Sequence, residues 1–133
     1  MSDVSINQYL TPVVCEKMLE RGINKTDFVA VIRTFIGVSE KDFALITGVS
    51  QRTLSRLKPE QNIPPRTAEV TLSVLRIYQK ASEIFGTPEL AQKWMKRPNT
   101  ALNGRTPFES LKNRFGAEEV FDVLTRIEYG VYS

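Results

Sequence analysis

Helix punctuation recurs along this chain more regularly than any other signal, and it confines the fold to helices. Thr11 followed by Pro12 reads as an N-cap with proline at the first helical position, and Gly22 stops "PVVCEKMLER". "TDFVAVIRTFIG" follows, with Thr26 as cap, Phe28, Val31, Ile32 and Phe35 as an apolar stripe, and Gly37 as terminator. From Pro65 to Phe85 a longer pattern places Val70, Val74, Ile77, Ala81 and Ile84 at helical spacing. Leu72 and Leu75 widen that stripe, so this helix packs on more than one side. Gly86 ends it, and Thr87 with Pro88 starts "TPELAQKWMK". "RPNTALNGRTP", Arg97 to Pro107, is dense in turn formers and reads as a structured turn. Thr106 and Glu109 are spaced as a capping box for a helix closed by Gly116. The last helix, "AEEVFDVLTRIEYG", turns Val120, Leu124 and Ile127 inward and sets Glu118 and Glu119 at its positive N-terminal end. No alternating strand bounded by a hairpin turn competes, and the pattern predicts an all-α fold of about eight helices.

Composition narrows the chemistry. At 133 residues and 41% hydrophobic the chain can bury a real core. No apolar run approaches the roughly 20 residues that span a bilayer, and "MSDVSINQYL" has no basic segment followed by an apolar one, so the expectation is a cytoplasmic protein without a membrane partner. A single cysteine, Cys15, allows no internal disulfide, and with no histidine there is no thiolate or imidazole metal site. The missing histidine also removes the usual general acid-base group and every Ser-His or Cys-His nucleophile. Neither a catalytic residue, a metal nor a cofactor is expected.

Charge is unevenly spread. The net is only +3, yet Ser50 to Arg66 holds Arg52, Arg56, Lys58 and Arg66 against Glu60, also a net of +3. Ala117 to Ser133 holds Glu118, Glu119, Asp122 and Glu128 against Arg126, a net of −3. A basic segment suits phosphate, and an acidic end suits a different partner.

The basic segment overlaps "EKDFALITGVSQRTLSRLKP", Glu40 to Pro59, which fits a helix-turn-helix at each constrained position. Ala44 lets two helices cross closely, and Gly48, four residues on, supplies the positive φ of the turn. Val49, Leu54 and Leu57 lock the second helix against the first, and Ser50 caps it. Ser50, Gln51, Arg52, Thr53 and Arg56 then occupy the leading and outward positions of a recognition helix, with Lys58 just beyond. The plainer reading is an ordinary bundle in which Arg52 and Arg56 are solvated. One such unit binds weakly, so DNA recognition here implies a homodimer on two half-sites about one helical turn apart.

Bottom-up, the C-terminal half is a helical interaction module. Trp94 is its packing anchor, and Asn99, Asn103 and Arg105 can hold the turn through side-chain to backbone bonds. Its end, "RIEYGVYS", is unusual because Tyr129, Val131 and Tyr132 put aromatic and β-branched surface at a terminus, where chains are usually polar. The stretch "AQKWMKRPNTALNGRTPFESLKNRFGAEEVFDVLTRIEYGVYS", Ala91 to Ser133, resembles the toxin-binding domain of the Xre/MbcA/ParS-like antitoxins, and "SQRTLSR" matches the Xre-like part of that family more loosely. Residues 1–38 carry no motif that points to a nameable family.

The resemblance implies an antitoxin that neutralises a cognate RES-domain toxin, an enzyme that consumes NAD, and represses the shared operon by binding operator DNA. It also implies that the antitoxin is no enzyme. Carried over by position, Pro98, Leu102, Gly104 and Pro107 shape the domain together with Trp94 and Asn99. Trp94, Asn99, Arg105, Arg126, Glu128, Tyr129, Tyr132 and Ser133 are then the candidate toxin-binding residues, the tail being placed to plug the NAD cleft. The expected organisation is an N-terminal region, 1–64, with the helix-turn-helix; a connecting and dimerising helix, 65–86; and a toxin-binding domain, 87–133. The alternative is a stand-alone regulator whose C-terminal half only dimerises.

Overall fold

The computed structural model describes residues 9–130, and these are all-α, with seven α-helices and no strand. They divide into two compact units, 9–76 and 77–130, the division falling inside the longest helix after Arg76. No described helix is long and apolar enough to cross a membrane.

In the first unit, α1 (Pro12–Arg21) starts as expected, with Thr11 Oγ1 accepting from the Val14 amide at 3.2 Å and Pro12 in the first turn. The next helix differs from the sequence reading. α2 (Lys25–Val31) is capped by Asn24, whose Oδ1 accepts from the Asp27 amide at 2.8 Å. Thr26 is not a cap because it is spent elsewhere: its amide and its hydroxyl both donate to the Pro59 carbonyl, at 3.1 and 3.0 Å. Lys25 N–H to Gln61 O and Ile63 N–H to Ile23 O complete a short pairing between the start of α2 and the segment before the long helix. After Val31 the coil widens into a π-turn, Ile32–Ile36, which closes at Gly37. The expected stripe of Phe28, Val31, Ile32 and Phe35 is buried, as is Ile36. Phe28 meets Phe43 edge to face, with centroids 5.8 Å apart.

Two short helices, α3 (Glu40–Thr47) and α4 (Gln51–Arg56), follow, and then α5 (Pro65–Phe85), which has the expected bounds. α5 buries Ala68, Leu72, Val74, Leu75, Ile77, Tyr78 and Ala81, a spread too wide for a single contact line.

In the second unit, α6 (Pro88–Met95) is capped by Thr87 and starts at proline as expected. The chain then makes two single 3₁₀ turns, Thr100–Leu102 and Glu109–Lys112, before α7 (Arg114–Glu128). The capping box forms reciprocally: Glu109 N–H donates to Thr106 Oγ1 at 3.0 Å and Thr106 N–H to Glu109 Oε1 at 2.9 Å. Gly116 does not close that turn. It lies in the first turn of α7, buried, with its amide bonded to the Oδ1 of Asn113, the true cap. A Cβ built on Gly116 would run into the carbonyl oxygen of Ser110, so glycine is required for close approach, not for termination. Starting α7 at Arg114 also moves Glu118 and Glu119 out of the first turn, away from the strongest part of the helix dipole. Val120, Val123 and Leu124 form its buried face.

Candidate functional site

The geometry of α3, the turn and α4 rests on four residues. Ala44 is buried, and its carbonyl accepts the Gly48 amide at 2.9 Å. Gly48 has φ 79°, a left-handed conformation that costs an L-residue about 1–2 kcal/mol, and it reverses the chain within three residues. Leu54 is 2% exposed and holds α4 down, while Val49 and Leu57 are half-buried. Ser50 Oγ accepts from the Thr53 amide at 3.1 Å, so this hydroxyl is engaged as the cap.

Around that frame Gln51, Arg52, Thr53, Arg56 and Lys58 are all exposed, as is Ser50. Arg52 and Arg56, one turn apart, share a face of α4. The segment leaving α4 is held firmly: Lys58 N–H donates to Gln61 Oε1 at 2.8 Å, Thr26 grips Pro59, and Lys25 Nζ reaches the Leu57 carbonyl at 3.4 Å. The result is a short helix, held down by Leu54 and followed by a bonded segment, whose outer face carries cations and hydrogen-bonding side chains of the kind that suit phosphate and base edges.

The second unit has two kinds of candidate. Trp94, Asn99 and Arg105 are half-buried and already employed. Trp94 lies against Phe85 with centroids 5.4 Å apart. Asn99 accepts from the Ala101 amide through Oδ1 at 2.9 Å, and its backbone meets Leu102, Gly104 and Arg105. Arg105 donates Nε–H to the Leu102 carbonyl at 3.0 Å and reaches Glu119 at 3.4 Å. Asn99 and Arg105 fasten the turn between α6 and α7, while Trp94 packs α6 against the end of α5. Glu109 has its carboxyl held below the ordinary value, first by the Thr106 amide and then by the Thr106 hydroxyl.

Arg126, Glu128 and Tyr129, at the end of α7, are exposed, Tyr129 at 73%. Tyr132 and Ser133 lie outside the described residues. Glu128 is joined by a residue that sequence reasoning missed: Lys80 Nζ lies 3.0 Å from Glu128 Oε1 and 4.7 Å from the centroid of the Phe121 ring. Phe121, 43% exposed, was missed as well. The available signal was its spacing, since Phe121, Thr125 and Tyr129 follow each other at one-turn steps opposite the buried face.

Residues 80–130 match the family described as the antitoxin Xre/MbcA/ParS C-terminal toxin-binding domain. Two curated relatives are each named Antitoxin Xre. The protein from Yersinia enterocolitica serotype O:8 / biotype 1B is 28% identical over 109 residues, covering 80% of this chain and 74% of the relative. That from Photorhabdus laumondii subsp. laumondii is 28% identical over 118 residues, covering 87% of this chain and 79% of the relative. Both matches extend well beyond the C-terminal domain. Residues 80–130 thus resemble a toxin-binding domain, which implies a toxin partner, and over most of its length the chain is similar to two proteins named Antitoxin Xre.

Proposed function

We propose that the chain neutralises a cognate NAD-consuming RES-domain toxin and represses its own operon. The observation that carries the first half is the toxin-binding domain matched over residues 80–130. An exposed Tyr129 at the end of α7 supports engagement through the C-terminal end, with Arg126 and Glu128 beside it and Tyr132 and Ser133 carried into the toxin's NAD cleft. Tyrosine suits that task because it offers broad contact area and a hydroxyl at low entropic cost. Asn99 and Arg105 act in this reading by holding the turn that mounts α7, and Trp94 by packing α6 against Phe85.

Repression is the task of α3 and α4. Gln51, Arg52, Thr53 and Arg56 face the major groove, Ser50 fixes the start of the helix, and Lys58 meets phosphate. A homodimer presents two copies to two half-sites. Co-expression with the RES-domain toxin encoded beside this gene tests the neutralising half: growth and NAD should recover. If NAD stays depleted while the antitoxin is soluble and abundant, the proposal fails. Truncation after Glu128 should abolish rescue and leave operator binding intact. A stand-alone regulator would give no rescue in the first place, and truncation after Glu128 would leave its activity unchanged.

A further inference from the structure

The outer face of α7 carries Glu118, Phe121, Asp122, Thr125 and Tyr129 at spacings of three and four residues, directly opposite Val120, Val123 and Leu124. Two large aromatics on this stripe are exposed, Phe121 at 43% and Tyr129 at 73%. Lys80 covers Phe121 from one side and pairs with Glu128, so the ring is held in place and Glu128 is neutralised. Glu118 and Asp122, flanking Phe121, have no ion-pair partner among the described residues. The stripe therefore offers two aromatic rings and two unpaired carboxylates on a fixed helix. That combination favours a guanidinium or ammonium, which gains a ring face and a carboxylate together.

We propose that this stripe is a lateral docking face for the toxin, and that Phe121 and Asp122 jointly receive an arginine or lysine of the toxin surface. The inference rests on the neutralisation reading, and adds to the tail a second contact on the side of α7. Its occupant follows from the matched domain, which begins at Lys80 and ends at Gly130 and so contains Lys80, the α7 stripe and Glu128. Charge complementarity supplies the partner's chemistry: an acidic, aromatic strip calls for a cationic, partly apolar counterpart. Lys80 is a positioning residue, since it orients Phe121 without needing to touch the toxin.

The test is titration calorimetry of the full-length chain against the purified RES-domain toxin encoded beside it, at low and high salt. Phe121→Ala should weaken binding about tenfold or more, as central aromatic anchors do, while the chain stays folded with at most a small fall in melting temperature. Glu118→Gln with Asp122→Asn should weaken it and flatten its salt dependence. Leu90→Ala, an exposed apolar residue of α6 outside the stripe, should bind as the parent does. If both stripe variants bind within about twofold of the parent, the docking face is refuted while the neutralisation reading stands. If the unmodified chain does not bind the toxin, the neutralisation reading falls and takes the docking face with it.

Discussion

Gly116→Ala is expected to destabilise the second unit, against the usual effect of such a change. In a helix interior alanine is favoured over glycine by about 1 kcal/mol, so a solvated Gly116 would be improved by the methyl group. Here the added Cβ points into the Ser110 carbonyl oxygen, with the carbonyl carbon only 2.9 Å away. Ser110 cannot step aside easily, because it is fully buried and its hydroxyl and amide are both bonded to the Thr106 carbonyl, at 3.0 and 3.2 Å. The relief must come from lifting the first turn of α7, which strains the 2.9 Å cap from Gly116 N–H to Asn113 Oδ1. Overpacking of this kind costs about 1–3 kcal/mol, and a lost cap about 1 kcal/mol more. Set against the propensity gain, the net loss is about 2 kcal/mol, a fall of roughly 10 °C in melting temperature for a unit of this size. Thermal unfolding followed by far-UV circular dichroism measures it directly. Ser110→Ala in the same background should restore nothing, since the obstacle is backbone. A Gly116→Ala protein as stable as its parent, or more so, would refute the close approach.

Tyr78 is fully buried on α5, and neither its hydroxyl nor that of Ser82, one turn on, has a hydrogen-bond partner among the described residues. Tyr78→Phe should therefore stabilise the fold by about 1 kcal/mol in urea unfolding; a loss of that size would contradict the unpaired hydroxyl. Glu109 has a folded pKa below its ordinary 4.5, so its stabilisation is present above that value and disappears as the pH falls from there through the lower one. Glu109→Gln should flatten this part of the stability profile, and an unchanged acid limb would count against the capping box. Replacing Arg52 and Arg56 with Ala should weaken operator binding about tenfold or more and flatten its salt dependence while toxin neutralisation persists, and joint loss of both activities would refute the separation of tasks.

What could be read from the sequence was what is local in the chain. Thr11, Ser50, Thr87 and the Thr106–Glu109 pair each satisfy an amide three residues away, so their chemistry and spacing suffice to mark a helix start. The turn between α3 and α4 is equally local, since Ala44, Gly48 and Ser50 fix it within seven residues. Thr26 looked like a cap as good as any, but its hydroxyl is claimed by Pro59, 33 residues away, which leaves the role to Asn24. Gly116 failed in the same way, because a glycine required by a neighbouring backbone carries no mark that distinguishes it from a terminator.

The face of α7 shows how far this reasoning reaches into function. The apolar period finds Val120 and Leu124 on the inner face but takes the half-buried Ile127 where Val123 is the buried residue, and it gives no way to tell a solvated Phe121 ring from a mounted one. What makes the difference is Lys80, whose partner Glu128 is 48 residues away. A side chain at the start of a domain can prepare a surface at its end only through the fold, so the α7 face is visible only in the structure, whereas the caps and the glycine between α3 and α4 are visible in the sequence. For the same reason Lys80→Met should loosen Phe121 and weaken toxin binding less than Phe121→Ala does; an equal or larger loss would mean that Lys80 itself touches the toxin.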